Sequence, residues 1–147
     1  MTQTERTETK IEFIRADDAA TLPTRATVDS AGYDFYCVRP VIIRPGEVVR
    51  VDTGIKAAFP DDKVLLLFNR SSNPSKKKVV LMNGVGVVDS GYVNADTNIM
   101  FEFMNYGNTP VSIVPGEKIG QGVFVSFFTT HNDKAKGKRS GGFGSTG

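Results

Sequence analysis

The chain has 147 residues, 39% of them hydrophobic and 23% charged, with a net charge of +2. That length suits one compact domain whose core needs no disulfide or metal staple. A lone cysteine, Cys37, excludes an internal bridge, no apolar run approaches the ~20 residues of a membrane span, and no broad basic face suggests duplex nucleic acid. The N-terminus MTQTERTETK is polar and lacks an apolar signal core, so a cytoplasmic protein is expected.

In chain order, residues 1–9 read as a disordered leader. Residues 10–15 (KIEFIR) alternate like a strand, and 17–27 are turn-rich around Pro23. Residues 33–38 and 41–43 are short apolar pieces. Pro45-Gly46 signals a turn, and 47–51 lead back out of it. Residues 63–68 (KVLLLF) are a continuous apolar run of strand length. The single helical candidate is 72–78, with Ser72 or Asn73 as cap and Pro74 in the first turn. Residues 99–104 and 122–128 are further strand candidates. Many short strands with frequent turns predict an all-β sandwich or jelly roll. The domain is expected over 10–131, followed by a flexible arm over 132–147, where the apolar pattern stops. Two stretches look alike, VIIRPGEVV at 41–49 and VSIVPGEKI at 111–119; shared hairpin chemistry explains them better than a duplication.

Five segments can carry chemistry. The first is the tail RSGGFGSTG, 139–147. Its glycines let backbone amides approach an anion, Ser145 and Thr146 add hydroxyls, and Arg139 adds a charge-assisted fork. Phe143, an apolar ring in a solvated tail, needs a flat partner such as a base. A plain linker is the alternative. The second is Asn69-Arg70-Ser71-Ser72, where a strand end, two hydroxyls and a helix start suit phosphate; a capped helix with a surface arginine is the alternative.

The third is NGVGVVDSGY, 83–92. Glycines among β-branched residues imply a tight turn or a close approach. Asn83 can read a base edge, Asp89 can orient a water, and Tyr92 can block a larger sugar. The alternative is a hairpin with Asp89 and Tyr92 facing solvent. The fourth is AGYDF, 31–35, where Asp34 on an alternating strand is expected to be exposed. The fifth is GEKIGQ, 116–121, where glycines can expose Gln121. His131 is the single histidine, so no Ser-His-acid triad is persuasive, and neither a zinc-spaced Cys/His cluster nor a GxxxxGK[ST] loop occurs. Hydrolysis would then need a carboxylate-held water and a triphosphate-bound hard cation.

These segments, in chain order, resemble the five motifs of the homotrimeric dUTP pyrophosphatases (dUTPases). AGYDF resembles the first, RSS the second, NGVGVVDSGY the third, GEKIGQ the fourth and RSGGFGSTG the fifth. The resemblance implies a distorted jelly-roll-like β-barrel subunit with one short helix, assembled as a homotrimer whose active sites draw on more than one chain. It implies conversion of dUTP and water to dUMP and pyrophosphate. Such a reaction keeps uracil out of DNA and supplies dUMP for thymidylate synthesis. Mg2+ would be held by substrate phosphates and water, with no protein metal ligands.

The resemblance also implies roles. Asp89 would orient the attacking water, with Asp34 as a supporting acid. Asn83, Gly86, Val88 and the backbone at Met100 would read uracil, and Tyr92 would lie beneath deoxyribose. Arg70, Ser71, Ser72 and Gln121 would bind phosphates. Phe143 would stack on uracil, and Arg139, Gly144, Ser145 and Thr146 would clamp the outer phosphates. The chain departs from the family in three places. Gly91 stands where a second acid is common, and Asn94 where glycine is common, with about two extra residues before Met100. Lys138 occupies the usual place of the tail arginine, with Arg139 one position closer; the forked guanidinium is the better phosphate ligand. Rivals on the same fold are a deoxycytidine triphosphate deaminase and a non-catalytic regulatory protein with a protein partner. No membrane or direct nucleic-acid partner is expected.

Overall fold

The computed structural model describes residues 10–137. Eleven strands fill them: β1 Glu12–Arg15, β2 Tyr33–Tyr36, β3 Val41–Ile43, β4 Val48–Asp52, β5 Ile55–Ala58, β6 Lys63–Asn69, β7 Val79–Leu81, β8 Gly86–Val88, β9 Met100–Asn105, β10 Val111–Ile113 and β11 Lys118–Ser126. They pair antiparallel into sheets of order β2-β11-β6-β8 and β4-β9-β7, with two-stranded sheets β1-β5 and β10-β3. This is the all-β architecture that short strands and frequent turns predict.

The reason is legible along β9, whose residues alternate between half-buried and buried. Phe101 and Phe103 are 0% exposed and point into the core. Phe35, on β2 of the other large sheet, meets Phe101 with ring centroids 5.4 Å apart. Each fully buried side chain of this kind stabilises the fold by about 1.5–3 kcal/mol. Ile43, Ile55, Leu65, Ile99 and Ile119 complete the sealed interior. Gly120 permits the closest approach. A Cβ there would collide with the Phe101 ring, and the β11–β2 ladder shifts register between Lys118 and Gly120.

The two look-alike segments do more than share a turn. Pro45-Gly46 and Pro115-Gly116 have glycine φ of 80° and 89°, the geometry of a turn with proline second and glycine third. In each, the following glutamate carboxylate accepts from the turn's first amide: Glu47 from Arg44 at 2.7 Å, Glu117 from Val114 at 3.3 Å. Neither turn closes a hairpin, contrary to expectation. β3 pairs with β10, Val111 opposite Ile43, while β4 pairs with β9 and β11 with β2 and β6. The turns carry the chain between sheets.

Three more expectations change. The segment expected to be a helix over 72–78 is a single wide turn, Asn73–Lys77, closed by the Lys78 amide on Asn73 O. Lys78 then takes φ of 60°, which ends it. Ser72 precedes the turn without a side-chain cap, and Asn73 is turned inward to bond Asn69 Oδ1 and Ile119 O. The other helical piece is a one-turn 3-10 segment, Ser90–Asn94. β11 starts four residues before the expected strand and stops at Ser126, leaving Phe127 and Phe128 exposed. β5 and β7 were not foreseen. Among the described residues no helix is long and apolar enough to cross a membrane. The leader over 1–9 lies outside the described residues.

Candidate active site

One group of functional side chains gathers at the end of β6. Gln121 on β11 stands opposite Asp34 of β2 and, on its other side, Phe68 of β6. Its amide nitrogen donates to Asn69 O at 3.3 Å. Arg70 follows the last residue of β6 and donates from Nη1 to Lys118 O at 3.2 Å. Ser71 is exposed and Ser72 half-buried at the start of the wide turn. Four elements thus bring the first, second and fourth motifs together. Asp34 is not the exposed acid expected of an alternating strand. Its side chain is 19% exposed and pairs with Lys118 Nζ at 3.3 Å. Glu117, in the same stretch, accepts from Lys77 Nζ at 2.8 Å. That hydrogen bond holds its carboxyl below the usual carboxylate range, against the opposing effect of burial.

A second group surrounds a cleft of about 220 Å3. Asn83, Gly86, Val88, Tyr92 and Met100 line it, over a floor that includes Leu67 and Ile99. Gly84 turns the chain at φ of 75°. Gly86 has to be small, because a Cβ there would lie 2.9 Å from Leu67 Cβ. Tyr92 is 8% exposed rather than solvent-facing, and its hydroxyl donates to Asn98 O at 2.8 Å. Asp89 is exposed and immediately precedes the 3-10 turn. The next residue, Ser90, donates to Asp61 Oδ1 at 2.8 Å.

The residues between Tyr92 and Met100 are anchored rather than loose. Lys56 Nζ donates to Val93 O and Ala95 O at 3.2 and 2.7 Å. Asn98 Oδ1 accepts from Thr53 and Gly54 amides, both at 2.9 Å, and its Nδ2 donates to Asp52 at 3.0 Å. Asn98, Lys56, Lys118 and Glu102, the last also lining the cleft, escaped the sequence reading. Each acts across strands distant in sequence, and no local pattern marks it.

Asp89 and Arg70 lie toward opposite ends of β6. Val88 stands opposite Leu65 on β6, and Asp89 continues toward the start of that strand. Arg70 lies past the other end. The run from Leu65 to Arg70 alone spans roughly 17 Å of extended backbone. Arg139, Phe143, Gly144, Ser145 and Thr146, with Lys138, lie outside the described residues.

Comparison with known proteins identifies the family. The sequence model of the dUTPase family matches residues 18–147. A deoxyuridine 5'-triphosphate nucleotidohydrolase of Lactococcus lactis is 44% identical over 131 residues, covering 86% of this chain and 87% of that protein. One from Desulfitobacterium hafniense is 36% identical over 146 residues, covering 94% and 95%. The crystal structure of a dUTPase from Streptococcus mutans superposes with a TM-score of 0.77 at 39% identity, covering 83% of this chain and 98% of that one. The chain belongs to the dUTPase family of hydrolases.

Proposed function

We propose that the chain hydrolyses dUTP to dUMP and pyrophosphate, by attack of water on the α-phosphorus, in sites completed between subunits. The reading rests on one observation above all: Asp89 continues toward the start of β6 while Arg70 follows its end, so a second copy would complete the site. A closed ring of identical subunits supplies that copy at every site, and a homotrimer fits the family.

In this reading uracil enters the cleft. Asn83 and the β8 backbone at Gly86 and Val88 read its edge, with the backbone at Met100 on the facing strand. Tyr92, fixed through its hydroxyl to Asn98 O, packs under the sugar and leaves no room for a ribose 2'-hydroxyl. Asp89 takes the proton of the attacking water and holds it in line. Arg70, Ser71, Ser72 and Gln121 of the neighbouring chain grip the phosphates. Asp34 keeps Lys118 and the Gln121 strand in register. The arm over 132–147 closes the site, with Phe143 over uracil and Arg139, Gly144, Ser145 and Thr146 on the outer phosphates.

Among the described residues no group of three or more His, Cys, Asp or Glu side chains could hold a metal. That donor set fits Mg2+ carried on triphosphate oxygens and water better than a metal caged by protein carboxylates. When bound, the ion would neutralise charge on the phosphate oxygens. The dUMP released would feed thymidylate synthesis, and removal of dUTP would keep uracil out of DNA, in the cytoplasm.

Pyrophosphate release from dUTP, with UTP, dCTP and dTTP as comparators, is the direct test. Strong preference for dUTP is expected. Absence of dUTP turnover with Mg2+ present would overturn the reading.

A further inference from the structure

The cleft holds one carboxylate that no role so far uses. Glu102 lines it together with Asn83 and Met100, two residues along β9 from Met100 and therefore on the same face of the sheet. Its side chain is only 24% exposed. Directly opposite on β4 stands Arg50, whose Nε donates to Glu102 Oε2 at 3.0 Å. On the other flank the Met82 amide donates to Glu102 O at 2.8 Å. The backbone of Glu102 is thus fixed from one side and its side chain is drawn toward the other.

Base chemistry gives that carboxylate a consequence. Uracil presents two carbonyl oxygens beside one N–H, whereas cytosine replaces a carbonyl with an exocyclic amine. An ionised carboxylate only accepts hydrogen bonds. Aimed at the base it would repel a carbonyl and attract an amine. Drawn aside and offset by a guanidinium it does neither. We infer that the Arg50–Glu102 pair sets pyrimidine selectivity: Arg50 keeps the Glu102 carboxylate turned from the base edge, so that the cleft favours uracil over cytosine. This rests on the cleft being the base site.

The test is a double-mutant cycle on the full-length enzyme, measuring kcat and KM for dUTP and for dCTP. Arg50→Gln should raise KM for dUTP about ten-fold, the scale of one misplaced charged hydrogen-bonding group. It should leave kcat near wild type and narrow the dUTP-to-dCTP ratio of kcat/KM. Arg50→Gln combined with Glu102→Gln should restore dUTP KM, because the released charge is gone. A merely structural role for Arg50 would lower both substrates together and would not be rescued by the second change. Unchanged selectivity in Arg50→Gln, or equal selectivity in the single and double variants, overturns the inference. Asn83→Ala separates the two readings. If it shifts base selectivity while the Arg50 variants do not, the cleft remains the base site and the Arg50–Glu102 role fails. If neither shifts it, the cleft assignment itself fails.

Discussion

Gly32 lies against the side chain of Gln121, so closely that a Cβ on Gly32 would collide with the Gln121 amide oxygen. The contact ties the first motif to the fourth across the β2–β11 ladder, beside the pairing of Asp34 with Gln121. It explains why the residue before Tyr33 is glycine without invoking an unusual backbone angle.

Gly32→Ala should therefore act on activity more than on folding. The obstructing atom is the end of a flexible side chain, which can swing away at little cost, but it then leaves its bond to Asn69 O. A fall in kcat/KM for dUTP of about ten-fold is expected, the size of one lost charged-ligand hydrogen bond, with little change in melting temperature. A Gly32→Ala enzyme with wild-type kcat/KM would detach Gln121 from substrate binding.

Gly120→Ala should do the reverse. Its added methyl meets the ring of Phe101, which is 0% exposed and boxed in by Phe35 and Phe103. Overpacking of this kind costs about 1–3 kcal/mol. Urea denaturation should show a lower midpoint with an unchanged slope.

Asp89→Asn and Arg70→Ala should each abolish most turnover alone. Mixed in equal amounts after dissociation and reassembly, they should regain activity, because an intact Asp89 group can meet an intact Arg70 group on another chain. Random assortment around a symmetric ring would restore about a quarter of the sites. No recovery in verified mixed oligomers would mean that each site is built within one chain.

Glu117 carries a pH signature. Lys77 holds its carboxyl below the usual value of 4.5, so the folded state favours the ionised form. The stabilisation is fully present above that unfolded value and is lost as pH falls through the lower, folded value. The stability gap between wild type and Glu117→Gln should therefore be constant near neutrality and close progressively below about pH 4.5. Urea midpoints across an acid series would show it. A gap independent of pH would assign Glu117 only its uncharged bond to the Val114 amide.

Cys37 should be inert while the protein is folded. Burial pushes its thiol pKa up, and its Sγ donates to Arg39 O. Iodoacetamide at mildly alkaline pH should leave the native protein unlabelled and modify it only on unfolding. Rapid labelling of folded protein would contradict this burial.

Much of this protein was settled by local chemistry. The strand class follows from alternation in residues such as 99–104. The two sheet-crossing turns follow from Pro-Gly and a glutamate one residue later. Five of the residues lining the cleft cluster within NGVGVVDSGY because one tight turn holds them together. Tertiary structure decided what local pattern cannot express. Asn73 reads as a cap until Ile119 O, far along the chain, claims its amide. Asp34 reads as exposed until Lys118 pairs with it. Glu102 is merely one polar residue in a strand until Arg50 and the cleft flank it. Above all, the order of motifs along the chain does not show that β6 holds Asp89 and Arg70 at its opposite ends. Sequence spacing records which residues are neighbours on the chain, while strand register sets the distance between them in space.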